Sequence, residues 1–155
     1  MSISNVREYF KGFGREDSIL EFEQSSATVE LAAEAAGVIP ARIAKTLSFK
    51  IGDDAILIVT AGDAKIDNKK YKAEFNCKAK MLTPEEVLEF TGHAIGGVCP
   101  FGLKNSLKVY LDDSMKRFDT VFPACGSSNS AIELTCNEME KFSKCEKWVD
   151  VCKNW

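Results

Sequence analysis

The sequence predicts a mixed α/β fold in which a barrel-like β-sheet is surrounded by helices. Three observations carry this expectation. Two strand-length apolar runs, residues 46–51 and 55–60, flank Gly52-Asp53-Asp54, the signature of an antiparallel hairpin. Further short strands at residues 107–111, 120–123 and 131–135 are mixed along the chain with helix signals, which argues against a doubly wound parallel sheet. The chain of 155 residues, 45% apolar and 28% charged, has the length and composition of one globular domain with its own core.

Each element has a local cause. Val6, Tyr9, Phe10 and Phe13 recur at helical spacing and predict an amphipathic N-terminal helix. Ile19, Leu20 and Phe22 alternate loosely over residues 18–23, as in a short strand. Ser26 reads as the cap of a helix over residues 28–36, rich in Ala and Leu and closed by Gly37 at the left-handed position. Pro40 then opens another short helix, with Lys45 near its end. After the hairpin, Asp67 caps a lysine-rich helix to about Phe75. Thr83-Pro84-Glu85-Glu86 starts a helix that Gly92 closes. A last helix from about Asn137 places Met139, Phe142, Cys145 and Val149 on one face, with Cys145 and Cys152 as small hydrophobes on an apolar helix face.

Composition excludes several function classes. The longest strongly apolar stretch, Ala55-Ile56-Leu57-Ile58-Val59, is far short of the ~20 residues that cross a bilayer, and MSISNVREYF lacks a signal-peptide core. A cytoplasmic protein with no membrane partner is expected. The six cysteines form neither a C-x-x-C nor a paired Cys/His cluster, so free thiols are expected, and neither a metal nor a cofactor is implied. A net charge of −3 disfavours nonspecific binding of DNA or other nucleic acid by the whole surface. Residues 65–80 differ: Lys65, Lys69, Lys70, Lys72, Lys78 and Lys80 stand against Asp67 and Glu74, a local +4. That segment reads as a solvated helix face or as a surface for a phosphate backbone.

Chemistry-bearing residues gather in a few places. Gly96-Gly97-Val98-Cys99-Pro100-Phe101-Gly102 packs three glycines and a proline into a rigid turn whose N–H groups can approach a ligand and hold a carbonyl oxygen as it gains charge. It has neither the P-loop nor the G-x-G-x-x-G order. Ala124-Cys125-Gly126-Ser127-Ser128-Asn129-Ser130 offers hydroxyl and amide groups between two strands, or is a polar hairpin loop. Lys45 adjoins an apolar strand, where it can bind phosphate or carboxylate or snorkel to solvent. His93, the only histidine, is a general-base candidate or a buried helix-end residue. Cys99 is a nucleophile only if loop amides and His93 lower its pKa. Asp63 and Asp67 read as cap and turn residues rather than a catalytic pair.

Taken together, Ala44-Lys45-Thr46-Leu47, Ala61-Gly62-Asp63, Ile66-Asp67-Asn68-Lys69-Lys70, Thr91-Gly92-His93-Ala94-Ile95-Gly96-Gly97-Val98-Cys99-Pro100-Phe101-Gly102 and Ala124-Cys125-Gly126-Ser127-Ser128-Asn129 resemble the YbaK-like family of aminoacyl-tRNA deacylases, related to the editing domain of bacterial prolyl-tRNA synthetase. The resemblance runs from about Thr28 to Val149 and implies a single editing domain over residues 1–155. It implies metal-free hydrolysis, in trans, of the ester at the 3′ end of a mischarged tRNA-Pro or the tRNA of a related small amino acid. Lys45 maps to the family lysine, and Gly96, Gly97, Val98, Cys99 and Pro100 map to its Gly-x-x-x-Pro loop. Backbone N–H groups of Gly97, Val98 and Cys99 would hold the oxyanion, and Lys45 the terminal adenosine or its phosphate. Thr46, His93, Phe101, Gly126, Ser127 and Asn129 are then substrate-binding candidates, and Lys65, Lys69, Lys70 and Lys72 tRNA-binding ones. Prolyl-tRNA synthetase is a candidate partner. Two rival readings stand beside this: a non-catalytic tRNA- or synthetase-binding module, and a Cys99-dependent hydrolase.

Overall fold

The computed structural model describes residues 2–155. In chain order its elements are α1 (Ser2–Lys11), β1 (Ile19–Glu21), α2 (Val29–Ala36), β2 (Ile43–Ile51), β3 (Asp54–Ala61), β4 (Lys65–Ile66), α3 (Asn68–Phe75), α4 (Pro84–Thr91), β5 (Lys108–Asp112), β6 (Thr120–Pro123), β7 (Ser130–Ile132), β8 (Leu134–Thr135), α5 (Cys136–Ser143), β9 (Lys147–Val149) and β10 (Cys152–Lys153). Six strands form one curled half-barrel sheet in the order β8-β6-β2-β3-β5-β9. The β2–β3 hairpin is antiparallel, with Lys45 opposite Thr60 and Thr46 opposite Val59. β6 joins β2, β5 joins β3 and β9 joins β5 in parallel, so the sheet is mixed as the sequence predicts. Antiparallel ribbons β1–β7 and β4–β10 flank it.

β3 is the central strand, and Leu57, Ile58 and Val59 are fully buried, which explains its continuous rather than alternating apolar pattern. α1 covers one side: Phe10 packs on Phe101 at 4.8 Å and on Phe142 at 5.4 Å between ring centroids. The interior carboxylate Asp112 accepts from the backbone N–H groups of Ser114 and Val151 at 2.9 Å each, tying the end of β5 to the chain entering β10.

Three local expectations are corrected. Thr28, not Ser26, caps α2: its hydroxyl accepts from Leu31 N–H, whereas Ser26 lies too far before the first helical residue, Val29, to reach it. Lys45 lies within β2 and not on a helix, because the Pro40 segment is one 3-10 turn, Pro40–Arg42, before β-branched Ile43 enters the sheet against β6. The last helix ends at Ser143, with Lys144 in the left-handed region at φ 52°. Cys145 and Val149 leave it because residues 147–149 pair with β5, and Cys152 belongs to β10 opposite Ile66. A periodicity that continued past the helix end was strand alternation.

Candidate active site

The chain folds around a cavity of about 220 Å³ beside β2 of the half-barrel. β2 forms its floor from Ile43 to Ser48. The start of α2 and the segment before it supply Ser26, Ala27, Thr28, Val29 and Ala32; Gly96 and Val98 close one side, and Phe122, Ala124, Ser130 and Ala131 another. Among the described residues, Lys45 is the only charged one of the lining. Half-buried, it donates from Nζ to the carbonyl of Ala64, and burial lowers its pKa from the ordinary lysine value against the opposing pull of Cys152 and Asp63. Asp63 is held by both terminal nitrogens of Arg117, at 2.6 and 3.0 Å, which keeps its carboxyl below the usual range. The Ala61-Gly62-Asp63 turn that carries it requires glycine: a Cβ on Gly62 would sit 2.1 Å from the carbonyl oxygen of Pro40.

The two glycine-bearing loops are pressed together. Gly126 donates its N–H to the Gly97 carbonyl at 3.0 Å, and a Cβ on Gly97 would lie 2.7 Å from the Gly126 carbonyl carbon and from the Ser127 nitrogen. Gly97 is therefore required for close approach, while Gly96, at φ 98°, and Gly102, at φ 58°, are the loop positions that need glycine dihedrals. Gly97 N–H already donates to the carbonyl of Ala94 at 3.0 Å. Among the described residues, the N–H groups of Gly96, Val98 and Cys99 have no protein acceptor.

Not every predicted residue reaches the cavity. Lys45, Thr46, Gly96 and Val98 line it; Gly97, Cys99, Pro100 and Phe101 form the wall behind. In the second loop, Gly126, Ser127 and Asn129 also stand back. Ser127 Oγ bonds Asn129 Oδ1 and Ser130 Oγ, and Asn129 donates from Nδ2 to the carbonyl of Phe22, tying the loop to β1. Sequence reasoning missed Ser26, Thr28, Ser48, Met81, Ile95, Phe122 and Ser130 as lining residues. Ser26 and Thr28 carry a signal, hydroxyls beside a helix start, that a cap explains equally, and Ser130 ends the polar loop that the sequence singles out.

His93 is fully buried behind the loop. Its Nε2 lies 2.8 Å from the carbonyl of Phe101, an acceptor only, so Nε2 carries the proton and Nδ1 accepts from the hydroxyl of Ser2. Burial lowers its pKa from 6.5, so the fold holds it neutral while the unfolded chain binds a proton near that pH. Stability should therefore fall as pH drops below about 6.5 and continue to fall until the native imidazole titrates. His93→Gln should flatten this dependence, measured as denaturant midpoints from pH 7.5 to 5; an unchanged pH profile in the variant would assign the acid sensitivity elsewhere.

Cys99 is also fully buried, with Sγ 3.6 Å from His93 Nε2 and 3.6 Å from the Phe101 carbonyl, and burial pushes its thiol up to about 12. A thiol so hard to ionise is a poor nucleophile. Cys99→Ala should retain single-turnover deacylation within about tenfold, because the loop acts through its backbone. A folded but inactive variant, together with a trapped acyl-thioester on the native protein, would establish covalent catalysis instead.

The basic segment lies beside this cavity. Asn68, Lys69, Lys72, Lys78 and Ala79 surround a second hollow of about 360 Å³. Residues 78–82 lead from it to the first along β2: Lys50 N–H donates to Lys80 O at 2.8 Å and Leu82 N–H to Ser48 O at 3.2 Å. Among the described residues Lys65, Lys69, Lys72 and Lys78 enter no ion pair, whereas Lys70 is clamped by Asp150 and the carbonyl of Cys152, both at 3.0 Å. Also among the described residues, no group of three or more His, Cys, Asp or Glu is placed to hold a metal ion, and no helix is long and apolar enough to cross a membrane.

Comparison with known proteins gives this half-barrel its class. Residues 23–142 match the aminoacyl-tRNA editing domain family, and the chain belongs to that family of aminoacyl-tRNA deacylases. It is 63% identical to the protein YwhH of Bacillus subtilis over 100% of this chain and 99% of that one. EbsC of Enterococcus faecalis, named as a candidate Cys-tRNA(Pro)/Cys-tRNA(Cys) deacylase, is 29% identical over 73% of this chain and 70% of its own. Proline–tRNA ligase of Thermotoga maritima is 28% identical over 80% of this chain, which spans 21% of the ligase. A crystal structure of a candidate trans-editing enzyme for prolyl-tRNA synthetase superposes with a TM-score of 0.88 at 29% identity, covering 98% of this chain and 97% of that one.

Proposed function

We propose that this protein is a trans-acting deacylase that hydrolyses the ester of a mischarged tRNA-Pro, or of the tRNA of a related small amino acid. The observation that carries this reading is the cavity of about 220 Å³ whose sole charged lining residue is Lys45 and whose side is closed by Gly96 and Val98. That volume is below the ~300–1,000 Å³ of pockets that enclose drug-sized ligands. It suits an aminoacyl group joined to part of the terminal adenosine, which reaches in to Lys45. The similarity over full length to a candidate trans-editing enzyme supports action on tRNA released by prolyl-tRNA synthetase in the cytoplasm.

Water adds to the ester carbonyl carbon, and the oxygen that gains charge is held by the N–H groups of Gly96 and Val98. These two line the cavity and lack protein acceptors among the described residues, while the Gly97 N–H is already spent on Ala94. The C–O bond to the ribose then breaks; the 3′ oxygen leaves with a proton and the free amino acid departs. The resemblance to the family implies that no side-chain base is required and that a ribose hydroxyl of the substrate helps position the water. Lys45 holds the terminal adenosine or its phosphate. Lys65, Lys69 and Lys72 carry the phosphate backbone, and Lys70 serves mainly to fasten the β4–β10 edge.

The test is multiple-turnover release of amino acid from a panel of mischarged tRNAs at two salt concentrations. The expected result is hydrolysis of one or two small aminoacyl esters, with KM rising steeply with salt as phosphate contacts are screened. Salt-sensitive tRNA binding without release of amino acid would establish a binding module instead.

A further inference from the structure

We infer that Met81 and Ile95, at the rim of the cavity, hold the terminal base of the RNA substrate, and that Lys78 meets the phosphates leading up to it. The inference rests on the deacylase reading above and assigns the nucleotide half of that substrate. Met81 and Ile95 both line the cavity, yet they are 58% and 63% exposed, so they stand at its mouth. Among the described residues no other exposed large hydrophobic side chain belongs to that lining. Both are carried on fixed backbone. Residues 80–82 run along the edge of β2, with Met81 opposite Phe49, the Lys50 N–H on the Lys80 carbonyl and the Leu82 N–H on the Ser48 carbonyl. Ile95 occupies the corner of a turn closed by the Gly97 N–H on the Ala94 carbonyl, with Gly96 at φ 98° as its third residue. Apolar side chains left exposed at the lip of a ligand cavity are a surface for the ligand to cover.

The occupant follows from connectivity and charge. In an aminoacyl-RNA ester the acyl group and the base are attached to the same ribose, so an acyl group inside the cavity leaves the base close to the rim. Every base presents a flat π-face, and covering it needs no hydrogen-bond partner. Methionine suits this role, because its unbranched thioether adapts its shape and makes favourable contacts with aromatic rings. Charge gives the direction of approach. Lys78 shares the wall of the neighbouring hollow with Lys69 and Lys72, at most about 11 Å of chain from Met81. None of these lysines enters an ion pair among the described residues. An apolar peptide would cover Met81 and Ile95 but leave the lysines unmatched. A single-stranded RNA end supplies a base for the one surface and phosphates for the other.

The experiment measures, by calorimetry, binding of 3′-alanylamino-3′-deoxyadenosine, of its base-free 1-O-methyl riboside counterpart, and of a cytidine-cytidine-adenosine trinucleotide ending in the same amide. The native protein should bind the adenosine amide about tenfold more tightly than the base-free one. Met81→Ala and Ile95→Ala should each lower that ratio about threefold and together abolish it, while Met81→Leu, which keeps the apolar surface, preserves it. Both side chains are exposed, so the variants are expected to fold. Lys78→Ala should weaken the trinucleotide about threefold at low salt, a loss that disappears at high salt. On mischarged tRNA the Met81 and Ile95 variants should raise KM with kcat near native, because the base is bound alike in the ground and transition states. An adenosine preference absent from the native protein, or unmoved in the double variant, overturns the inference; continued hydrolysis of mischarged tRNA then leaves the deacylase reading standing. A native protein inert on mischarged tRNA whose adenosine preference is lost in the double variant upholds the inference and overturns the deacylase reading. A kcat that falls with KM unchanged overturns the assignment of Met81 and Ile95 to the base, and a trinucleotide bound equally by Lys78→Ala overturns that of Lys78 to the phosphates.

Discussion

Lys45→Ala is expected to reduce deacylation by about 10²-fold while leaving the fold intact, the loss typical when a substrate is held about 1 Å out of place. Among the described residues Lys45 is the only charge on the cavity wall, and the alanine variant removes it. The structural cost is confined to the carbonyl of Ala64, which loses the Nζ donor. Lys70→Ala should matter far less to catalysis, since Lys70 is engaged with Asp150 and Cys152 away from the cavity. The charge on Lys45 also has a pH signature. Because burial lowers its pKa from 10.5, the native enzyme should lose activity with rising pH earlier than an exposed lysine would dictate. Single-turnover rates, with circular dichroism as a folding check, measure both effects. Near-native turnover by a folded Lys45→Ala protein would remove Lys45 from the mechanism.

Gly97→Val should be the most damaging loop substitution, lowering both activity and stability. Its Cβ would lie 2.7 Å from two backbone atoms of Gly126 and Ser127, which cannot swing aside as a side chain could. Overpacking of this kind costs about 1–3 kcal/mol. For a domain of this size that corresponds to a drop in Tm of roughly 2–12 °C. Parting the two loops also moves Gly96 and Val98, so deacylation should fall at least as far as in Lys45→Ala. Thermal denaturation and single-turnover assays on Gly97→Val and Gly97→Ala check this, the alanine variant being expected to suffer in the same direction because it adds the same Cβ. A Gly97→Ala protein with native Tm and rate would show that the loops do not depend on this contact.

The helix starts were legible because capping is local chemistry. Thr83 and Glu86 form the reciprocal box that the Thr-Pro-Glu-Glu order specifies, and Asp67 accepts from Lys69 and Lys70 N–H groups as its position implies. The β2–β3 hairpin was legible for the same reason, with Gly52 at φ 61° between two strands that pair over eight residues each. The short ribbons were not. β4 and β10 are two residues each, joined across more than eighty positions, and no local pattern marks a strand that exists only because its partner lies opposite.

The candidate site divides along the same line. Local chemistry in the sequence marked the Gly96–Pro100 and Gly126–Asn129 loops as turns, but the resemblance to a family, not local rules, grouped them with Lys45, whose expected helix-end position the structure corrects to β2. Tertiary structure decided which atoms face the ligand. Whether Ser26 caps a helix or lines a cavity and whether His93 is a base or a buried tether depend on contacts between residues far apart in the chain, Ser26 with Ser128 and His93 with Ser2, whereas Gly97 gives its N–H to a carbonyl only three residues back, that of Ala94. Local preference acts over a few residues, whereas the direction of a side chain in a curled sheet is set by packing from the other side of the core.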